Sequence, residues 1–353
     1  MKKIRIYSLI GFVLFSCSSE PEIEINEPLH PEPPVKIINL KNDEQFVIGD
    51  EIVFDLVVSD PTKVKDLELF VSDTLYKSAL KKENQSFKIG TKKARVGFTK
   101  IAITYADEKG DRHGDTRTVV LFSDIVPKAK VAKIVGTYPH DKSSYTQGLE
   151  FYKGKLFEGT GQYGKSILAE VDLKSGKHLR KHVLDAQYFG EGITILNDTI
   201  YQISYTEHTC IVYNMNFEKI KEYSYSGEGW GLCNNGKSLI MSNGSNEIVW
   251  RNPRSFAIEK SIYVFNDQSD IGQLNELELI NGRLFVNVYT DDRILEVDTT
   301  TGKVLSDIDC SEVVLDGRVP GADVLNGIAY NPVTRKIYIT GKWWPKLYEV
   351  TFN

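Results

Sequence analysis

Glu191 sits in Tyr188-Phe189-Gly190-Glu191-Gly192-Ile193-Thr194, a lone carboxylate between two glycines, with two rings before it and an apolar strand start after it. Flanking glycines permit backbone conformations closed to other residues, and adjacent rings offer a low-dielectric wall that raises a carboxyl pKa. A carboxyl tuned in this way can take and return a proton; in an ordinary surface turn the same residue faces water. Four other stretches carry unusual polar and aromatic residues: Tyr145-Thr146-Gln147-Gly148-Leu149, Gly229-Trp230-Gly231-Leu232, Leu274-Asn275-Glu276-Leu277-Glu278, and Leu325-Asn326-Gly327-Ile328-Ala329 with Gly341-Lys342-Trp343. Taken singly, Trp230 reads as core and Asn275 as a turn. Recurrence at a similar place in successive segments points to one centre built of rings, amides, a carboxyl group and a lysine.

Such a centre needs a scaffold that gathers distant segments. Beyond Pro127, strand starts follow turns at Leu156, Ile200, Leu239, Leu284 and Ile337, at steps of 44, 39, 45 and 53 residues. A period in the low forties with about four short strands per unit predicts propeller blades, and five units predict a five-bladed β-propeller over residues 126–353. The last unit stops after Phe352, so residues 131–137 are expected to complete it and close the ring, leaving no unpaired edge. Residues 35–125 carry about six short alternating strands between turn signals such as Asp60-Pro61, the pattern of a small immunoglobulin-like β-sandwich. With neither cysteine nor a ligating cluster, this segment reads as a spacer or interaction module. The expected fold class is all-β.

Residues 1–17 join a basic start (Lys2, Lys3, Arg5) to an apolar run and Ser16-Cys17, a secretion signal too short to span a bilayer as a mature helix. Leu14-Phe15-Ser16-Cys17 resembles a bacterial lipobox, which implies lipidation of Cys17; an ordinary signal peptide is the alternative. Residues 18–34 hold five of the 12 prolines among several glutamates and read as an extended stalk. The expected location is the bacterial cell envelope, periplasmic or at the outer-membrane surface, with the membrane engaged through the lipid anchor only.

A net charge of −5 without a basic stripe argues against a nucleic-acid partner. Apart from Cys17, the cysteines (Cys210, Cys233, Cys310) are an odd set without CxxC spacing, so neither a disulfide framework nor a thiolate metal site is signalled. His178 and His182 have the spacing of a helical metal pair, but residues 179–184 fall where a strand is expected. No metal and no cofactor are therefore expected. Gly159-Thr160-Gly161-Gln162-Tyr163-Gly164-Lys165-Ser166 satisfies the phosphate-loop pattern letter by letter. That loop works at the start of a helix, whereas residues 167–173 alternate as a strand.

Seven motifs stand in the order and at the spacing of the glutaminyl-peptide cyclotransferases of the plant and bacterial type, and residues 130–352 resemble that family. They are YTQGL from Tyr145, FGEGIT from Phe189, GWGL from Gly229, SNGS from Ser242, LNELE from Leu274, LNGIAY from Leu325 and TGKWWPKLYEV from Thr340. The resemblance implies a five-bladed propeller that converts an N-terminal glutamine of peptides or proteins to pyroglutamate, releasing ammonia without a catalytic metal. It implies Glu191 as the acid/base, Gln147, Asn275 and Lys342 as polar groups around the substrate, and Tyr145, Phe189 and Trp230 as pocket walls. Tyr205 and Tyr289 stand where the family pattern has tryptophan, and are expected at the substrate too. The resemblance does not reach residues 18–125.

The chemistry suits these residue types in its own right. The α-amine and the γ-carboxamide belong to one substrate residue, so ring closure needs a restricted conformer more than an enzyme nucleophile. An α-amine with a pKa of about 7.7–8.0 is partly neutral near pH 8, while the departing nitrogen must gain a proton. One carboxyl group serves both transfers. Asn275, Gln147 or Lys342 could steady the developing oxyanion. The alternative is a non-catalytic propeller whose aromatic centre holds a surface peptide or glycan.

Overall fold

The computed structural model describes residues 32–353, so the secretion signal, Cys17 and most of the expected stalk lie outside the described residues. Strands dominate, with a single α-helix, Ser311–Gly317, among the described residues.

The N-terminal part has two sheets. Val35–Ile38, Glu51–Val58 and Gln85–Gly90 form one; Gln45–Val47, Arg112–Phe122, Gly97–Ala106, Lys65–Val71 and Thr74–Lys77 form the other, each in that order. Strict alternation buries Ile52, Phe54, Leu56 and Val58 from one strand, and both sheets feed a common core that includes Ile37, Leu69, Ile101 and Leu121. Gln45–Val47 is too short to show a period. Lys65–Val71 and Thr74–Lys77 read as one strand in sequence because Ser72 and Asp73 turn with left-handed backbones (φ 49° and 60°) and no glycine marks the place.

That core extends into the rest of the chain. Phe265, 2% exposed, packs in it. Phe98 meets Tyr263 edge-on at 5.2 Å, and Phe122 meets Phe265 at 5.7 Å. The Val96 N–H donates to the Thr301 carbonyl (3.2 Å), the Ser123 N–H to that of Asn266 (3.0 Å), and Lys303 pairs with Asp124. Residues 35–125 are therefore more than a spacer, since they cover an aromatic face of the following part. A chain starting near Ser123 should lose about 1.5–3 kcal/mol of stability for the uncovered Phe265 alone. Denaturant midpoints of the two chains measure this, and equal midpoints would show that the contact contributes nothing.

From Lys128 onward the strands come in fours. Thr146–Tyr152, Lys155–Thr160, Ile167–Val171 and His178–Val183 make the first antiparallel sheet. Gly190–Leu196, Thr199–Ser204, Thr209–Asn214 and Lys219–Ser224 make the second, and Leu232–Asn234, Leu239–Ser242, Glu247–Arg251 and Ile258–Tyr263 the third. The remaining strands form an eight-stranded sheet, in the order Leu274–Ile280, Arg283–Val288, Arg293–Asp298, Val304–Asp309, Lys128–Pro139, Lys346–Phe352, Lys336–Gly341, Leu325–Asn331. Lys128–Pro139 joins its halves, pairing parallel with Val304–Asp309 through residues 128–131 and antiparallel with Lys346–Phe352 through residues 132–139. The strand that opens this part thus supplies the partner that the shortened last repeat lacks.

Two-residue hairpins with both residues left-handed, Lys153-Gly154, Asn197-Asp198 and Asn281-Gly282, set three of the registers. Burial falls from the first strand of a sheet to its last: Gly190–Leu196 is buried throughout, whereas Lys219–Ser224 is almost wholly exposed. The five first strands, beginning at Thr146, Gly190, Leu232, Leu274 and Leu325, touch one another in a closed cycle.

Candidate active site

Where the first strands converge, their backbones approach so closely that side chains do not fit between them. A Cβ on Gly148 would lie 2.4 Å from the Ile193 nitrogen, one on Gly192 2.4 Å from the Leu232 nitrogen, and one on Gly231 2.3 Å from the Asn275 carbonyl oxygen. Gly190 and Gly192 keep negative φ, so the glycines around Glu191 serve close approach and not an unusual backbone conformation, contrary to the sequence reading. Four of the five strands also break register at the same station: between Thr146 and Gly148, Gly190 and Ile193, Leu274 and Leu277, and Leu325 and Ile328. Such irregularities re-aim side chains. Gln147, Glu191, Asn275 and Asn326 all sit within them, which is the physical basis of their recurrence in the sequence.

Above this station lies a cavity of about 210 Å³ lined by Tyr145, Gln147, Phe189, Glu191, Tyr205, Trp230, Asn275, Tyr289 and Lys342, together with Tyr163, which the sequence reading missed. The rings form a collar. Centroids of Tyr145 and Phe189 are 6.1 Å apart, Phe189 and Tyr205 5.9 Å, Tyr205 and Trp230 6.5 Å, Trp230 and Tyr289 5.4 Å. Lys342 closes the circle, its Nζ 5.0 Å from the Tyr289 centroid and 4.7 Å from that of Tyr145. Three carboxylates fix collar rings from outside. Glu207 accepts from the Tyr163 hydroxyl and the Phe189 N–H, Glu228 from the Trp230 indole, and Asp323 from the Tyr145 hydroxyl. Tyr188, expected as a wall, instead packs in the core between the first two sheets.

At the floor, Asn326 Nδ2 donates to Gln147 Oε1 (3.0 Å), and Gln147 Nε2 donates to Glu191 Oε1 (2.8 Å). This relay fixes the Gln147 amide and the carboxyl plane. Glu191 is 5% exposed, and its carboxyl is pushed well above the ordinary range by burial; Lys342 opposes this, while Glu207 and Glu228 add to it. Burial in turn lowers the Lys342 ammonium, against the pull of Glu191 and Asp323. Lys342 makes no ion pair within 4.0 Å among the described residues. Two buried acceptors of the cavity lack partners, Glu191 Oε2 and Asn275 Oδ1. The site therefore offers acceptors to N–H donors beside one cation held on aromatic faces.

The glutamine cyclotransferase family profile matches residues 114–352. The chain belongs to this family. It is 36% identical over 235 residues to the glutaminyl-peptide cyclotransferase of Arabidopsis thaliana, covering 64% of this chain and 73% of that protein. A solved structure of the Myxococcus xanthus glutaminyl cyclase superposes with a TM-score of 0.61 at 34% identity, covering 64% of this chain and 98% of that one.

The other candidate motifs lie outside this cavity or contribute only its edge. The phosphate-loop imitation spans the end of Lys155–Thr160 and a turn into the strand Ile167–Val171, with no helix. His182 stacks edge-on against Tyr213, while His178 lies 3.5 Å from Glu158. No group of residues suited to a metal ion occurs among the described residues. Cys210, Cys233 and Cys310 are buried free thiols, all pushed up by burial.

Proposed function

We propose that the chain is a glutaminyl-peptide cyclotransferase on a five-bladed propeller, with an immunoglobulin-like sandwich before it and Glu191 as the proton carrier. The closed cycle of first strands supports the blade reading. The observation that carries the function is the pair of unpartnered acceptors, Glu191 Oε2 and Asn275 Oδ1, in one cavity with Lys342. An N-terminal glutamine presents two nitrogen groups, its α-amine and its γ-carboxamide, and one carbonyl oxygen. That inventory matches two acceptors and one cation.

In the proposed reaction the α-nitrogen attacks the γ-carbonyl carbon, forming the ring C–N bond. The proton shed by that nitrogen goes to Glu191, the carbonyl electrons collect on oxygen, and their return expels the amide nitrogen as ammonia after Glu191 protonates it. Burial raises the Glu191 carboxyl above the ordinary range, which makes its carboxylate a stronger base for the proton that the attacking nitrogen sheds. The relay from Asn326 through Gln147 occupies Oε1 and leaves Oε2 for the substrate. Lys342, unpaired and held by two rings, is the oxyanion partner in this reading.

Ammonia release from a glutaminyl dipeptide, measured with a coupled assay, tests the proposal. Stoichiometric ammonia and pyroglutamyl product are expected. Tight binding without either would establish the non-catalytic alternative.

A further inference from the structure

On the cyclotransferase reading, which this inference presupposes, nucleophile and electrophile both belong to the first residue of the substrate. That residue enters the cavity, and every later one must leave through the mouth. Beside the mouth runs a groove of about 490 Å³ whose lining includes Lys142, Gly161, Lys165, Val319, Pro320 and Trp343. Two of its walls back directly onto walls of the cavity. The Trp343 ring lies 4.7 Å from that of Tyr145. The Gly161 N–H donates to the Tyr145 carbonyl (2.9 Å), and a Cβ there would strike Phe189 at 2.3 Å. Both walls hold non-glycine residues in left-handed backbone, Gln162 at φ 100° and Trp343 at φ 60°, a strain that clusters at ligand clamps.

The charged groups around the mouth differ in availability. Glu207 and Glu228 already accept from collar groups. Lys142 and Lys165 are exposed and make no ion pair within 4.0 Å among the described residues. Lys165 belongs to the stretch that imitates a phosphate loop. We propose that this groove receives the residues after the N-terminal glutamine, and that Lys142 and Lys165 select peptides with an acidic side chain in the first of those positions.

The test compares kcat/KM for C-terminally amidated peptides beginning Gln-Glu, Gln-Ala and Gln-Lys. The order Glu, Ala, Lys is expected, with roughly a three- to tenfold span at low salt, the size of partly exposed ion pairs, shrinking as ionic strength rises. Lys142→Gln/Lys165→Gln should process the three peptides at equal rates. Indifference of the wild type to the second residue overturns the inference, as does a preference for Gln-Lys that Glu207→Gln removes, which would put the peptide against Glu207. Failure of all three peptides to release ammonia would count against the cyclotransferase reading instead; equilibrium binding of the same peptides to Glu191→Gln then still ranks them.

Discussion

Glu191→Gln is expected to lower kcat by roughly 10²–10⁴, the usual worth of positioned acid–base catalysis, while KM changes little. The substitution keeps the size of the side chain and its acceptor for Gln147 Nε2, but it cannot carry a proton. The pH profile gives a second readout. The proton-accepting form of Glu191 is the carboxylate, and burial raises its pKa, so kcat/KM of the wild type should carry, beside the acid limb of the substrate amine at about 7.7–8.0, a second ionisation above the ordinary carboxylate range that the variant lacks. Stability should move the other way. A group whose folded pKa is raised binds its proton more tightly in the folded state, so stability falls as pH rises from the unfolded value through the folded one. Above that window the wild type holds a buried charge that Glu191→Gln lacks, and the variant should melt no lower than the wild type. Loss of turnover with a preserved or raised Tm separates a catalytic from a structural role.

Glu276→Gln is the control. Glu276 is also buried with a raised carboxyl, but its two oxygens accept the Leu149 and Ile328 N–H groups, holding neighbouring strands together. Its replacement should cost stability more than kcat. If Glu191→Gln turns over normally while a folded Glu276→Gln does not, the carboxylate is misassigned; if both remain active, a single-carboxylate mechanism is wrong.

Glu276 also shows where sequence reasoning reaches its limit. Strict alternation puts Glu276 and Glu278 on one face, opposite Asn275, yet the register break between Leu274 and Leu277 buries both Asn275 and Glu276. A bulge has no composition signal of its own, so its position shows only in the structure. The repeat itself was legible because each unit carries its own turn, such as Asn281-Gly282, and its own apolar strands. The residues gathered at the cavity were legible because their motifs recur. Their supports were not: Glu207, Glu228 and Asp323 come from ordinary-looking segments and matter only through the rings they hold. Tyr163 was hidden in a stretch whose letters suggested a different chemistry. Packing of Phe265 into the N-terminal core is a tertiary contact between segments more than 100 residues apart, which no local pattern encodes.

The joint between the two ends of this part of the chain should be as sensitive to substitution as Glu191. Glu158 and His140 form a fully buried pair, Oε1 to Nε2 3.0 Å, and Glu158 also accepts from Ser144 and Thr146 hydroxyls (3.0 and 2.7 Å). His140 Nδ1 reaches the Trp344 carbonyl at 2.7 Å, and the Trp343 N–H donates to the Ser144 carbonyl at 2.7 Å. The network clamps residues 144–146, which carry Tyr145 and lead into Gln147, against the turn that carries Lys342. Glu158→Gln removes one partner of a buried ion pair, which costs about 3–5 kcal/mol. Burial opposes charge on both groups, yet each holds the other ionised, so the His140 pKa is raised and that of Glu158 lowered. The carboxylate's contribution is present above its unfolded pKa and lost as pH falls through the folded one; the imidazolium's is present below its unfolded pKa and lost as pH rises through its raised one. The Tm gap between wild type and Glu158→Gln should therefore be widest between about pH 4.5 and 6.5 and narrow in alkaline buffer. Thr146→Val, which deletes one hydrogen bond to the ionised acceptor at about 1.5–3 kcal/mol, gives a milder variant if Glu158→Gln fails to fold. Because the clamp spans the site, kcat of the folded variant, measured well below its Tm, should fall too. A lowered Tm with an unchanged kcat would show that the joint holds the ring closed without setting the positions of Tyr145, Gln147 and Lys342.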